Sequence, residues 1–402
     1  MNSTVYLLRV FPFAIFVILS ACHGQTKPAT TKQQVVGGPC EGCELLGNAM
    51  PDTIGTQDFS PAWTEKGQKL LLTGTVYQRD GKTPARFVVI YYYHTNKEGR
   101  YLHIPSKKRS MVPNEKGQTH GYIRGWVKTD SSGRYYIYTI RPGTYPSRDE
   151  PAHIHLTLKE PGFENAYYID DAVFDDDILL TGQKRKRMEY RCGSGVMRIV
   201  QKDGLQIGER NIILGLNIPG HPEAGTGNTN SGKNIGEDVL SFTPYHAWGP
   251  DKGTKTCPVC KYGWYHGILF FAGNNPNWTD IKKWLVFMET ESIKRKQYLK
   301  AYFIYGNENG YSKTAREQEL EKLGKDLDLK KTALTFVPSF TDAASEVNLN
   351  RVDASTESTI ILYMRRNIIG TYINLKPSAE NFQLITKRLD ETVNEYYDLK
   401  GL

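Results

Sequence analysis

Leu70-Leu71-Leu72-Thr73-Gly74-Thr75-Val76-Tyr77 leads through Asp80-Gly81 into residues 87–93, a run of β-branched and aromatic side chains. Such residues suit a pleated, half-buried surface and Asp-Gly is a turn dipeptide, so the passage reads as strand, turn, strand. Outward from it the pattern repeats. Asp130-Ser131-Ser132-Gly133 turns the chain into the alternating Arg134-Tyr135-Tyr136-Ile137-Tyr138. Further strands are expected at 152–158, 166–169, 197–201 and 211–216, and nothing between 70 and 219 spaces its apolar residues like a helix. Short strands separated by turns predict an all-β sandwich over 65–219.

Residues 220–237 are rich in Gly, Asn and Ser and nearly free of apolar side chains, which predicts a linker. Beyond it the period changes. Ile268-Leu269-Phe270-Phe271 reads as a buried strand. Ile281, Trp284, Leu285 and Met288 then fall at i, i+3, i+4 and i+7 behind Asn277 or Thr279, as in a capped amphipathic helix. Strands follow at 299–305, 333–337, 359–363 and 368–373. Leu320, Leu323 and Leu327 carry a second helix, and Phe382, Ile385, Leu389 and Val393 a last one. This alternation implies a three-layer α/β domain over 238–398, and its order resembles the thioredoxin fold.

The 402 residues exceed what one core usually serves, in keeping with a multidomain chain. The net charge of +8 is spread over the whole length. The basic runs Lys184-Arg185-Lys186-Arg187 and Lys294-Arg295-Lys296 lack an accompanying recognition motif, so they read as solvated faces and no nucleic-acid partner is expected. Residues 5–19 are almost wholly apolar but too few to span a bilayer comfortably, which makes 1–21 a signal peptide. Leu19-Ser20-Ala21-Cys22 resembles the bacterial lipobox, implying that Cys22 is acylated and holds the protein on the extracytoplasmic side of a membrane. A soluble secreted protein cut elsewhere is the other reading. Residues 22–64 are then a polar tether and an irregular lead-in.

Five further cysteines suit an oxidising compartment: Cys40 and Cys43 as C-x-x-C, Cys192 alone, and Cys257 and Cys260 as a second C-x-x-C. The odd number leaves at least one thiol unpaired within the chain. A zinc site shared by the two pairs would need them unusually far apart in sequence. Cys257 and Cys260 invite a redox reading, but thioredoxins place the pair after the first core strand. Here the pair precedes the strand at 268–271, and Asn274-Asn275-Pro276 stands in the usual place. Thiol–disulfide exchange, a structural disulfide and docking of an unspecified protein partner all stay open.

Pro151-Ala152-His153-Ile154-His155 lies in a strand-like run, where side chains two apart share a face, so His153 and His155 can chelate one ion. Alone, the pair is as readily a hydrogen-bonded surface feature. Tyr145 sits in Arg141-Pro142-Gly143-Thr144-Tyr145-Pro146 and Tyr101 in Gly99-Arg100-Tyr101. Taken together with Leu72-Thr73-Gly74-Thr75-Val76 and Thr129-Asp130-Ser131-Ser132-Gly133-Arg134-Tyr135, these residues resemble the intradiol ring-cleavage dioxygenases, from about 70 to 219. The resemblance implies Fe(III) held by Tyr101, Tyr145, His153 and His155. Its substrates would be a small aromatic diol and O2, with cleavage between the hydroxyl-bearing carbons. The residue types suit that ion, since a hard trivalent cation favours anionic oxygen and a bound metal strips protons from its ligands.

One position departs from the family pattern. Where an Arg usually stands three residues before the first His, this chain has Glu150, and Arg148 is expected to supply the catalytic charge instead. Two non-enzymatic classes also stay open. Gly74-Thr75-Val76 followed by Asp130-x-x-Gly133-x-Tyr135 also marks transthyretin-like and carboxypeptidase-regulatory-like binding modules, although these lack the two Tyr and the His pair. The other class is a lipoprotein that acts through redox or docking at the thioredoxin-like domain.

Overall fold

The computed structural model describes residues 36–38, 42–115 and 117–393, within one compact unit that spans Val35–Leu402. Cys22 lies outside them, with the expected signal peptide and lipid anchor, as does Cys40. Among the described residues no helix is long and apolar enough to cross a membrane.

The first half is built of β1 (Gln57–Phe59), β2 (Lys69–Tyr77), β3 (Val89–Tyr93), β4 (Arg124–Lys128), β5 (Arg134–Ile140), β6 (His153–Lys159) and β7 (Tyr167–Phe174). A short helix α1 (Gly182–Lys186) follows, then β8 (Val196–Met197), β9 (Ile199–Lys202), β10 (Leu205–Glu209) and β11 (Ile212–Ile213). One sheet has the order β1-β5-β2-β10-β9, with β11 also on β2; the other is β4-β3-β6-β7-β8. Leu70 and Leu72 of β2, Ile137 of β5, Ile90 of β3 and Ile154 and Leu156 of β6 are fully buried in one cluster contributed by both sheets. This is a sandwich core, and alternation along β2 and β6 turns the intervening side chains away from it.

Several elements were not legible. β1 lies in the expected irregular lead-in, where it pairs in parallel with β5. β4 and β10 each contain a glycine, and β10 gains its place by parallel pairing with β2, Leu205 opposite Lys69. The helix α1 breaks an otherwise all-β half, capped by Thr181, whose hydroxyl accepts the Lys184 N–H.

The second half holds β12 (Tyr245–Trp248), α2 (Pro258–Tyr262), β13 (His266–Ala272), α3 (Trp278–Arg295), β14 (Leu299–Tyr305), α4 (Lys313–Asp326) and β15 (Ala333–Phe336). It ends with β16 (Thr359–Met364), β17 (Asn367–Ile373) and α5 (Ala379–Glu391). The sheet order is β12-β15-β14-β13-β16-β17, with β13, β14 and β15 mutually parallel. Asn277 caps α3 through the Asp280 N–H, and Ile281, Trp284, Leu285 and Met288 are all buried, as their spacing predicts.

The expected three layers are not formed by helices on both faces. Side chains of α3, α4 and α5 share one apolar cluster, while Val239, Phe242, Val259, Phe340 and Val347 from irregular segments and α2 cover the other face. Handedness accounts for this. Two right-handed crossovers stepping the same way along a sheet, β13 to β14 to β15, set both helices on the same side.

Residues 220–237 join the halves and pack onto the second sheet. Ser231, fully buried, shares a 2.6 Å hydrogen bond with Thr359, and the Thr371 hydroxyl donates to the Lys233 carbonyl at 3.0 Å.

Candidate metal centre

Two loops bring the tyrosines together. After β3, Asn96 turns the chain so that the Gly99 N–H donates to its carbonyl at 3.0 Å, and the Gly143 N–H, from the loop after β5, donates to the same oxygen at 2.9 Å. The contact admits no side chains. A Cβ on Gly99, which has φ +75°, would stand 1.7 Å from the Thr144 carbonyl oxygen, and one on Gly143 would stand 2.3 Å from that of Lys97. Tyr101 and Tyr145 follow these glycines, and their hydroxyl oxygens lie 3.0 Å apart.

The histidines arrive from β6, on the face away from Ile154 and Leu156. His153 Nε2 lies 3.1 Å from the Tyr145 hydroxyl and 3.2 Å from His155 Nε2, which is 3.4 Å from the Tyr145 hydroxyl. So Tyr101, Tyr145, His153 and His155, separated by up to 54 positions of sequence, meet as one half-buried cluster of two oxygens and two nitrogens.

The remaining ring nitrogens decide what that cluster can hold. His153 Nδ1 lies 2.7 Å from the Pro151 carbonyl, which can only accept, so Nδ1 carries the proton and Nε2 is bare. His155 Nδ1 lies 2.9 Å from Asp171 Oδ1. Burial works to raise the Asp171 carboxyl, but the facing His155 charge and hydrogen bond hold it below the usual range. It therefore accepts the Nδ1–H, which leaves His155 Nε2 as the atom facing the tyrosines. Two ring nitrogens and two phenolic oxygens thus converge, with contacts of 3.0 to 3.4 Å among them. Four such donor atoms facing one another suit a shared cation.

Protonation agrees. Burial pushes the phenols of Tyr101 and Tyr145 up, so neither ionises near neutral pH without a compensating cation. Burial also pushes the His153 imidazole down, leaving it neutral and able to ligate. The residues fit a metal that prefers oxygen anions together with imidazole.

A bulge places Asp171. Ile154 pairs with Ala172 and Leu156 with Ile169, so Asp170 and Asp171 both stand opposite His155. Asp170 accepts the N–H groups of Tyr190 and Arg191, while Asp171 accepts from His155. His153, His155 and Asp171 lie close enough to be a ligand trio, but Asp171 engages the Nδ1 side of His155, away from the tyrosines. It is placed to orient His155 from outside the cluster. Asp171→Asn is therefore expected to weaken metal binding by roughly 10–100-fold while the fold is kept. Titration of the metal-free protein measures this, and unchanged affinity would remove Asp171 from that role.

Tyr93 backs the cluster. Its ring stacks 4.5 Å from His155 on one side and 3.6 Å from His120 on the other, the latter nearly parallel at 2°. Arg124 donates to the Tyr91 hydroxyl at 3.2 Å, and that hydroxyl lies 2.8 Å from His120 Nδ1. Burial pushes His120 down to about 3, so it is neutral, with the Tyr91 hydroxyl supplying the proton to Nδ1 and Nε2 carrying its own. Tyr93, Arg100, Gln118 and His120 join Tyr101, Tyr145 and His155 around a cavity of about 630 Å³. No acidic side chain lines it among the described residues.

Arg148 is not part of that wall. Its N–H closes a turn onto the Tyr145 carbonyl at 2.8 Å, with φ +54°, and its side chain is exposed. Glu150 is exposed as well and pairs with Lys184 at 3.5 Å. Among the described residues the cation lining the cavity is Arg100, next to Tyr101 in the chain. The sequence carried no signal for Asp171, Tyr93 or His120, since a bulge brings in the first, the pairing of β3 with β6 sets the second opposite His155, and a long loop delivers the third.

Cys257 and Cys260 form a disulfide, which rules out the shared zinc site, and Cys43 is also disulfide-bonded. Cys192 is free and buried, as the odd number of cysteines required.

Residues 52–198 match a family model described as Dioxygenase (Dioxygenase_C). The chain is 34% identical over 148 residues to the protocatechuate 3,4-dioxygenase beta chain of Burkholderia cepacia, covering 35% of this chain and 59% of that one. It therefore spans less than two thirds of that relative's length. It is 26% identical over 202 residues to the chlorocatechol 1,2-dioxygenase of Pseudomonas putida, covering 45% of this chain and 68% of that one. Among solved structures it matches an intradiol ring-cleavage dioxygenase from Tetranychus urticae at 17% identity and a TM-score of 0.30, over 45% of this chain and 92% of that one. The segment that carries Tyr101, Tyr145, His153 and His155 is thus similar in sequence to the intradiol dioxygenases.

Proposed function

We propose that the first half of this protein is a non-haem Fe(III) dioxygenase that cleaves a catechol-type ring between its two hydroxyl-bearing carbons, placing both atoms of O2 in a muconate-type diacid. The observation that carries the reading is the meeting of two phenolic oxygens and two imidazole Nε2 atoms at 3.0 to 3.4 Å. Tyr101, Tyr145, His153 and His155 would hold the iron, which when bound draws charge from the catecholate and makes the ring reactive toward O2. The chain's own part is to receive and orient. A tyrosinate oxygen of the Tyr101–Tyr145 pair takes up a proton from the entering diol. Asp171 keeps His155 in one tautomer, and Tyr93 and His120 wall the ring's side of the cavity.

Iron analysis of the purified protein, with a visible spectrum and O2 uptake on catechols, tests this. Iron with a red-brown tyrosinate band and ring cleavage supports it. Absence of iron rejects it, and full iron without cleavage of any catechol leaves a metal-binding sandwich module.

In this reading Arg100, rather than Arg148, is the charge beside the substrate. Arg100→Ala is expected to keep the iron and slow cleavage by roughly 10–10²-fold, below the roughly 10²–10³ of an enclosed donor because water screens an exposed guanidinium. Arg148→Ala is expected to turn over like wild type. The reverse order in steady-state kinetics would restore Arg148.

We also read Cys22 as acylated, so that the protein works at the extracytoplasmic face of a bacterial membrane, and residues 238–398 as thioredoxin-like. The β13-α3-β14 unit followed by β16-β17-α5 supports the latter. Cys22→Ser is expected to move the protein from the detergent-extracted to the soluble fraction; membrane retention of the correctly cleaved variant would count against the anchor.

A further inference from the structure

The Cys257–Cys260 disulfide has no part in ring cleavage, and its setting does not suit a structural brace. Only Pro258 and Val259 separate its ends, and a loop so short is not where a cross-link restricts the unfolded chain most. The segment is held without it, because Val259 is fully buried in the cluster behind the second sheet and the Gly263 N–H donates to its carbonyl at 3.0 Å.

The two sulfurs differ in surroundings. Cys257 packs at the edge of that apolar cluster, and its sulfur accepts the Cys260 N–H at 3.0 Å. Cys260 is exposed and lines a cavity of about 220 Å³ together with Arg198, Gly263, Trp264 and Arg366. Arg198 lies over the Trp264 ring at 5.1 Å, and that ring is 52% exposed. Arg365 and Arg366 make the turn between β16 and β17 with φ of 50° and 71°, a conformation side chains seldom adopt. Arg365 reaches Glu209 at 2.8 Å, whereas Arg366 enters no salt bridge among the described residues and acts on Asp238, in the same lining, through its charge alone.

We propose that Cys257–Cys260 is an exchangeable disulfide whose exposed Cys260 sulfur is attacked by an anionic thiol docked against Arg366, with Cys257 as the leaving sulfur. In the first step a thiolate bonds to Cys260 Sγ and the Cys257–Cys260 bond breaks. Its electron pair goes to Cys257 Sγ, which keeps the Cys260 N–H as a hydrogen-bond donor and then takes up a proton. In the second step another thiolate attacks the incoming sulfur, forms the external disulfide and releases Cys260 as a thiolate, which is protonated in turn. Two thiols are oxidised, and the protein disulfide gains two electrons and two protons. The polarity is set by burial: the second cysteine of the motif is the exposed, reacting one.

The test uses the whole, folded protein and two small thiols, glutathione (anionic) and cysteamine (cationic), with alkylation and peptide mapping to identify the sulfurs. Wild type is expected to be reduced at 257 and 260 by millimolar glutathione without denaturant. Single-thiol variants are then treated with oxidised glutathione. Cys257→Ser, which leaves Cys260, is expected to form the mixed disulfide about tenfold faster than Cys260→Ser, since access limits exchange at an inner sulfur. Arg366→Gln is expected to slow reduction by glutathione several-fold and leave cysteamine unaffected. Three results would each overturn the proposal: reduction that needs denaturant, equal rates for the two single-thiol variants, or equal loss with both thiols in Arg366→Gln.

Discussion

Phenylalanine in place of Tyr145 is expected to leave the purified protein without iron and without a visible band. Tyr145 is the hub of the cluster, since its hydroxyl takes part in three of the four short contacts, to Tyr101, His153 and His155. Phenylalanine keeps the ring, which packs edge-on against His153 at 5.0 Å, so the loop has no reason to move. What is lost is one anionic oxygen. The two Nε2 atoms then keep one phenolic oxygen beside them, and the cost exceeds the roughly 10–100-fold that loss of an outer partner carries. His155→Ala should act the same way, removing a nitrogen and the ring against which Tyr93 stacks. Metal analysis after iron loading, with the absorption spectrum, measures both variants. Stoichiometric iron and an unchanged spectrum in either would mean that the metal sits elsewhere.

The largest expected loss of stability lies behind the cluster. Arg210 is 1% exposed, and its guanidinium donates to the carbonyls of Cys192 and Asn211, at 3.2 and 2.6 Å, and of Arg191 and Gly193, at 3.3 and 3.1 Å. It clamps a segment in which Tyr190 and Cys192 have φ of 57° and 58°. The same segment offers Asp170 its N–H donors, and Asp170 sits beside Asp171 in the bulge facing His155. Arg210→Ala would strand several buried carbonyls at about 1–3 kcal/mol each, offset in part because burying the cation is itself unfavourable, for a net loss of roughly 3–5 kcal/mol. Arg210→Met, which restores volume but no donors, should recover only the packing share. Urea unfolding followed by circular dichroism measures both; a loss below about 1 kcal/mol would show that the segment holds without the clamp.

How much of this was legible follows from where each signal lives. His153 and His155 declare a shared face through strand alternation alone, and the helix of Ile281, Trp284, Leu285 and Met288 through its spacing. Tyr101 and Tyr145 carry no local pattern, and only the likeness of the surrounding motifs singled them out. Asp171 and Arg210 were beyond reach in principle. One depends on a bulge that adds a residue to β7 opposite His155, the other on carbonyls nearly twenty positions upstream. Arg148 stands apart from the cavity wall, because the turn that closes on the Tyr145 carbonyl leaves its side chain exposed.

The parallel pairing of β2 with β10 and β11 bears on how the chain reaches this structure. β2 lies near the start of the sandwich, yet one of its edges is finished only by residues 205–213. While the protein is being synthesised, that edge has no partner until nearly the whole first half has left the ribosome, and a parallel strand arriving from so far along the chain must first close a large loop. The stretch that matches the dioxygenase family ends at residue 198, before those strands begin. A chain stopped there would keep all four side chains of the cluster and expose an unpaired, apolar strand edge, inviting aggregation before iron could be tested. The length needed to fold therefore extends past the length that carries the likeness, at least through Ile213.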